Sequence, residues 1–169
     1  MWLHRPLLAA LAVTAMLGLA GCGIQPLYGT TAGGSRLGAV MAGVDVTPIP
    51  GRVGQRLRNE LIFANTGGGA AAPPTYKLDI VIKESLTNEL VQISGDAQGQ
   101  VYELEATFKL ISHDGRVVLE GRATSRAAFE RFQTIFSNVR AQVDAENRAA
   151  STVADTIRTR VAAYISQQA

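Results

Sequence analysis

The 169-residue sequence holds one Cys, one Trp, three Lys and two His. Each scarcity excludes something. A single Cys cannot close an internal disulfide. Cys22, His4, His113 and scattered acids make no cluster with metal-ligand spacing, so no metal is expected. The formal net charge is +2, too small for polyelectrolyte attraction, and nucleic acid is not an expected partner. Disorder is excluded too, because 47% of the residues are hydrophobic. The length suits one domain.

Groups for catalysis are equally thin. His113 sits beside Asp114-Gly115, and a solvated turn residue is the expected role rather than a general base. Glu103 and Glu105 project from one strand face toward cationic partners, as a wet face requires. Gly67-Gly68-Gly69 runs into Ala and Pro instead of Lys-Ser, so it is not a phosphate loop. No catalytic residues, and no enzyme, are expected.

The apolar residues that are present are unevenly spread. Residues 1–21 hold 15 of the hydrophobic set, after a short basic start at His4 and Arg5. From Pro6 to Ala20 there is no charge. That is the build of a secretory leader. Fifteen helical residues span about 22 Å at ~1.5 Å each, short of the ~30 Å hydrocarbon core. The leader ends in Leu19-Ala20-Gly21-Cys22, which resembles the bacterial lipobox. The resemblance implies cleavage before Cys22, with diacylglycerol on its thiol and an acyl chain on the new amino group. Several chains give stable anchoring where one is marginal. No other cofactor is expected. Gly23 follows where an Asp would resemble an inner-membrane retention signal, so the outer membrane is the expected destination.

The chain therefore divides into a leader (1–21), a lipidated Cys with a flexible tether (22–40), and one domain (41–169). Met41 to Thr47 alternates weakly and predicts a short strand, stopped by Pro48 and Pro50. Val53, Leu57 and Leu61 recur every four residues and predict a helix, closed by Asn65 and Gly67. Tyr76, Leu78, Ile80 and Ile82 alternate with Lys77, Asp79 and Lys83. Tyr102, Leu104, Ala106, Phe108 and Leu110 alternate with Glu103, Glu105, Thr107 and Lys109. A third run goes from Val117 to about Phe129.

Asp114-Gly115 predicts a two-residue hairpin turn, in which paired positions sum to 229. Leu110 then faces Leu119, Phe108 faces Gly121, and Ala106 faces Ala123. On the other face Lys109 meets Glu120 and Glu103 meets Arg126. A slip by one residue would mix the two faces. The apolar cover is a helix of about 25–30 residues with Ser137 as N-cap, carrying Val139, Val143, Ala150, Val153, Ile157, Val161 and Tyr164 as its stripe. The expected fold class is α+β: a two-layer sandwich, mostly antiparallel, with two helices over one sheet face.

Of sixteen basic residues thirteen are Arg. Arg is the better bidentate partner for phosphate, although a GC-rich genome would supply the same bias. Lys109, Arg116, Arg122 and Arg126, along the hairpin's polar face and tip, are the candidate residues for an anionic lipid or sugar phosphate.

Cys22-Gly-Ile-Gln-Pro-Leu-Tyr28-Gly resembles the mature start of the LPS-assembly lipoprotein LptE family, in its alphaproteobacterial form. Ile24 stands where the family usually has Phe. Gly51 to Leu61 is similar to the family's first helix. Asn138 to Ala150, running into Ile157 to Val161, is similar to its C-terminal helix. The resemblance implies a lipid-anchored plug inside the LptD β-barrel of the outer membrane, facing the periplasm and the barrel lumen. It would help the barrel assemble and place lipopolysaccharide in the outer leaflet. Two alternatives stay open: an accessory lipoprotein of another envelope lipid-transport system of MCE/ABC type, and a lipid-anchored hydrolase.

Overall fold

The computed structural model describes residues 37–91, 97–131 and 134–168. The leader, Cys22 and the chain up to residue 36 lie outside these residues. The elements run α1 (Leu37–Met41), β1 (Val44–Val46), α2 (Gly51–Thr66), β2 (Tyr76–Val91), β3 (Ala97–Ser112), β4 (Val117–Glu130) and α3 (Ile135–Gln168).

The domain begins earlier than the sequence suggests. Residues 37–40, expected in the tether, form α1 together with Met41, and Leu37 and Met41 enter the core. The expected strand from Met41 to Thr47 is correspondingly shorter. Only Val44–Val46 pairs, parallel to β2, with Val44 beside Tyr76 and Val46 beside Leu78. Pro50, extended at φ −62° and ψ 153°, precedes the first residue of α2. The helix ends at Gly67 in the left-handed region, whose amide donates to the Phe63 carbonyl. Val53, Leu57 and Leu61 are buried, as their spacing requires. Arg58 Nε donates to the Val46 carbonyl at 2.9 Å, tying α2 to β1.

β2, β3 and β4 form an antiparallel meander, and the sheet order is β1-β2-β3-β4. β2 runs past Lys83 to Val91, beyond the clear alternation. The β3–β4 register is the one expected: Leu110 pairs with Leu119, Phe108 with Gly121, Ala106 with Ala123, Lys109 with Glu120 and Glu103 with Arg126.

The turn that produces this register differs from expectation. A two-residue type I′ turn needs positive φ at Asp114 as well as Gly115. Only Gly115 has it, at 81°. The Gly115 amide donates to the Ser112 carbonyl, and the Ser112 amide to the Arg116 carbonyl. The loop is therefore His113-Asp114-Gly115, a tight turn closed by a left-handed Gly. One extra loop residue shifts the pairing, and Ile111 faces Val117. A bulge between Leu110 and Ile111 then restores the offset for the rest of the ladder. Loop and bulge cancel, so the facing residues are unchanged.

α3 begins at Ile135, two residues before the expected cap, and is 34 residues long. Ser137 lies inside its first turn and accepts a hydrogen bond from the Thr134 hydroxyl at 2.7 Å. At ~1.5 Å per residue the helix is about 50 Å long. Ala150, Val153, Ile157 and Val161 are buried as expected, joined by Ala145, Ala149, Ala154, Ala162 and Ile165. These small side chains let α3 lie close on β3 and β4, while α2 packs against α3 and β1. The first turn overhangs: Ile135, Phe136 and Val139 are exposed, with Arg140 stacked 5.8 Å from the Phe136 ring centre. Leu57, Leu61, Leu78, Leu104, Phe108, Leu110 and Ile157 fill the layer between sheet and helices. The fold is α+β with both long helices on one face.

Candidate functional site

Strand parity decides which side chains face away from the helices. From β2 come Lys77, Asp79, Val81 and Lys83, from β3 Glu103, Glu105, Thr107 and Lys109, and from β4 Glu120, Arg122, Thr124, Arg126 and Glu130. The five cations, Lys77, Lys83, Lys109, Arg122 and Arg126, share the face with six acids: Asp79, Glu103, Glu105, Glu120, Glu130 and Asp45 of β1, which lies opposite Lys77. Signs alternate across the ladder. Asp79 lies opposite Lys109, which lies opposite Glu120; Lys83 lies opposite Glu105. Arg122 Nε is 3.3 Å from Glu105, one step along the ladder, and Arg126 Nε is 3.5 Å from Glu103. Thr47, the residue after β1, donates to Asp79 at 2.9 Å. Exposed pairs of this kind contribute about 0.2–1 kcal/mol each. Their main effect is to hold a wet sheet face close to neutral.

The four residues expected to receive an anion are thus only partly gathered. Lys109, Arg122 and Arg126 share the open face, each beside or across from a carboxylate. Arg116 is at the turn, paired with Asp114. The Ser112 hydroxyl and the Arg116 guanidinium both donate to Asp114, and together they pull its carboxyl down to about 2. His113 is exposed at the same turn.

A groove beside β4 was not visible in the sequence. β4 is a sheet edge, and its outward carbonyls are met by arginines of α3. Arg160 donates to the Arg122 carbonyl at 2.8 Å and Arg148 to the Ala128 carbonyl at 3.0 Å. Such capping blunts an edge that would otherwise template pairing with another chain. Between these two bonds lies a groove of about 500 Å³, bordered by Arg56, Arg126 and Arg148. Arg56 is paired with Glu60 at 3.0 Å and Arg148 with Asp144 at 2.8 Å. The arginines sit off the apolar stripe, where spacing says only "exposed".

Two polar clusters lie deeper. Glu146, buried on α3, binds Arg52 at the start of α2 and accepts from Gln142 at 2.9 Å. Nearby, the Tyr102 hydroxyl donates to Glu84 at 2.7 Å. Burial, then the Glu84 carboxylate, push the Tyr102 phenol well above its ordinary value. At the opposite end of the helical layer, Asn65 Oδ1 and Arg158 Nε are buried with no hydrogen-bond partner among the described residues. Each such orphan costs about 1–3 kcal/mol. Both residues border one cavity of about 280 Å³, which Met41 and Ala162 also line. Among the described residues, no group of three or more His, Cys, Asp and Glu side chains is placed to hold a metal, and no helix is long and apolar enough to cross a membrane.

No family model and no curated protein matches the sequence. Solved structures do match the fold. A chain from Caulobacter crescentus CB15 assigned as a lipoprotein superposes with a TM-score of 0.64 at 20% identity, over 79% of this chain and 97% of that one. Rare lipoprotein B from Shewanella oneidensis gives 0.57 at 11% identity, over 75% and 96%. A minor lipoprotein from Acinetobacter baumannii gives 0.52 at 13% identity, over 73% and 94%. Between 94% and 97% of each of these chains is covered, so the α+β sandwich described above extends over nearly all of the three solved chains.

Proposed function

We propose that this chain is an LptE-type outer-membrane lipoprotein, anchored through Cys22, that occupies the lumen of an LptD-type β-barrel. In that place it helps the barrel to assemble and assists insertion of lipopolysaccharide into the outer leaflet. It is a positioning and assembly subunit rather than an enzyme. The lipobox and the mature start Cys22 to Gly29 favour this reading, and so does a fold common to three lipoproteins.

The observation that carries it is the open sheet face. A long meander with one face covered by helices and the other paved with five cations and six acids is a nearly neutral surface for a hydrated, polar enclosure. The interior of an outer-membrane barrel is such an enclosure. An apolar sheet face would instead point to a second protein layer or to lipid. Pull-down from detergent-solubilised outer membrane, with the partner identified by mass, tests the reading. A large β-barrel is the expected partner. Recovery of a periplasmic or inner-membrane MCE-type complex in its place overturns it.

A further inference from the structure

The cavity among α1, the C-terminal end of α2 and α3 has the properties of a binding site separate from the open sheet face. Two of its three polar side chains hold an unsatisfied atom. Asn65 is 7% exposed, and its Oδ1 has no donor. Arg158 Nε is buried without an acceptor, and Arg158 makes no ion pair or hydrogen bond among the described residues.

The two nearest donors are not free to serve Asn65. The Thr66 hydroxyl is spent on the Ile62 carbonyl at 2.9 Å. The Gly67 amide is spent on the Phe63 carbonyl. The remaining walls, Leu37, Met41, Ala64 and Ala162, carry only apolar side chains. A desolvated guanidinium N–H calls for an acceptor, and an anionic one makes the stronger bond. Asn65 adds a different demand, because its orphan is an acceptor and calls for a hydroxyl or an N–H.

We propose that this cavity binds a small anionic amphiphile, a hydroxy-carboxylate on a short hydrocarbon chain. Its carboxylate takes the Arg158 Nε–H bond, its hydroxyl donates to Asn65 Oδ1, and its hydrocarbon lies on Leu37, Met41 and Ala162. The volume, about 280 Å³, equals roughly nine waters at ~30 Å³ each, so a ligand of about that many heavy atoms fits. Arg158 is only half-buried, and its outer guanidinium can swing to admit the ligand. Plain alcohols lack the anion, and simple fatty acids lack the hydroxyl. The site therefore ranks the three classes in a fixed order.

Met41 supplies the reporter, since it is the one methionine after the leader. The purified chain, labelled at the Met41 methyl, is titrated with β-hydroxyhexanoate, hexanoate and hexanol below their micellar concentrations. A saturable methyl shift with β-hydroxyhexanoate is expected, at least tenfold weaker with hexanoate and absent with hexanol. Arg158→Gln should weaken β-hydroxyhexanoate at least tenfold. Asn65→Leu, which removes an orphan and should fold, should erase the difference between β-hydroxyhexanoate and hexanoate. No saturable shift in the parent chain overturns the proposal without any variant. Equal binding of all three probes, or Arg158→Gln binding as the parent does, overturns it as well.

Discussion

Gly121 shows how one position can be dictated by its neighbour across the sheet. A Cβ there would sit 2.9 Å from Phe108 Cζ and 3.3 Å from an Arg160 guanidinium nitrogen. The ring of Phe108, fully buried, lies over the bare backbone of Gly121. Gly121→Val should cost about 1–3 kcal/mol through overpacking, read as a lower urea midpoint at unchanged slope. Asp114 makes a pH statement. Its carboxyl titrates at about 2 in the folded turn against 3.8 otherwise, held by Ser112 and then Arg116. A depressed acid stabilises above its unfolded value and loses that contribution as pH falls through the folded one. The hairpin tip should therefore loosen between pH 4 and about 2. Amide exchange at Gly115 and Arg116 across that range measures it, and Asp114→Asn should flatten the dependence.

At the scale of elements, α3 is the piece on which the layer depends. Val153 and Ile157 are both fully buried at the centre of its contact with β3 and β4. Replacing both by Asp places two charges in the core and should abolish the cooperative thermal transition. A folded double variant would mean that α3 is dispensable cover. The sequence revealed this helix well by its stripe, yet missed its start and its alanines. Ala145, Ala149 and Ala154 carry almost no hydrophobic signal, because small side chains suit exposed and tightly packed positions alike. The overhanging Ile135, Phe136 and Val139 show the converse. Val139 was expected at the start of the stripe, but the sheet ends before the helix does, so an apolar side chain in the right phase stays exposed. The hairpin turn departs from its expected form for a third reason. Asp-Gly fits both a two-residue turn and a three-residue turn with a bulge, and only the backbone angles separate them.

For the whole molecule, anchoring and surface chemistry make separate predictions. Cys22→Ala should leave the chain unlipidated and unable to fractionate with the outer membrane, by acyl labelling and sucrose-gradient flotation. Undiminished labelling would remove the anchor. Charge reversal at Arg116 and Arg122 should weaken lipopolysaccharide binding severalfold with little loss of fold, since both side chains are exposed. Binding equal to the parent's would remove these residues as contacts. The alternation of charge was legible because strand residues alternate faces with a period of two, and Glu103, Glu105 and Lys109 announce the wet side of β3. Their three-strand arrangement was not legible. Asp79 and Lys83 reach Lys109 and Glu105 through the β2–β3 register, which no short turn signal fixes.

What the sequence determined by itself is whatever rests on local period and local chemistry: the α2 stripe, the alternating strands and the β3–β4 pairing. These follow from 3.6- and 2-residue repeats and from a short connection, which need no knowledge of distant residues. Only the tertiary structure decided which polar groups meet across long separations. The β4 edge is closed by arginines from α3, Glu146 is matched by Arg52, and Asn65 and Arg158 are brought beside one cavity and left unpaired. Asn65 continues the Val53-Leu57-Leu61 stripe and reads locally as a helix-ending polar residue. Its burial and its missing partner come from α1 and α3, more than twenty and ninety residues away in sequence, and a local pattern carries no information about either.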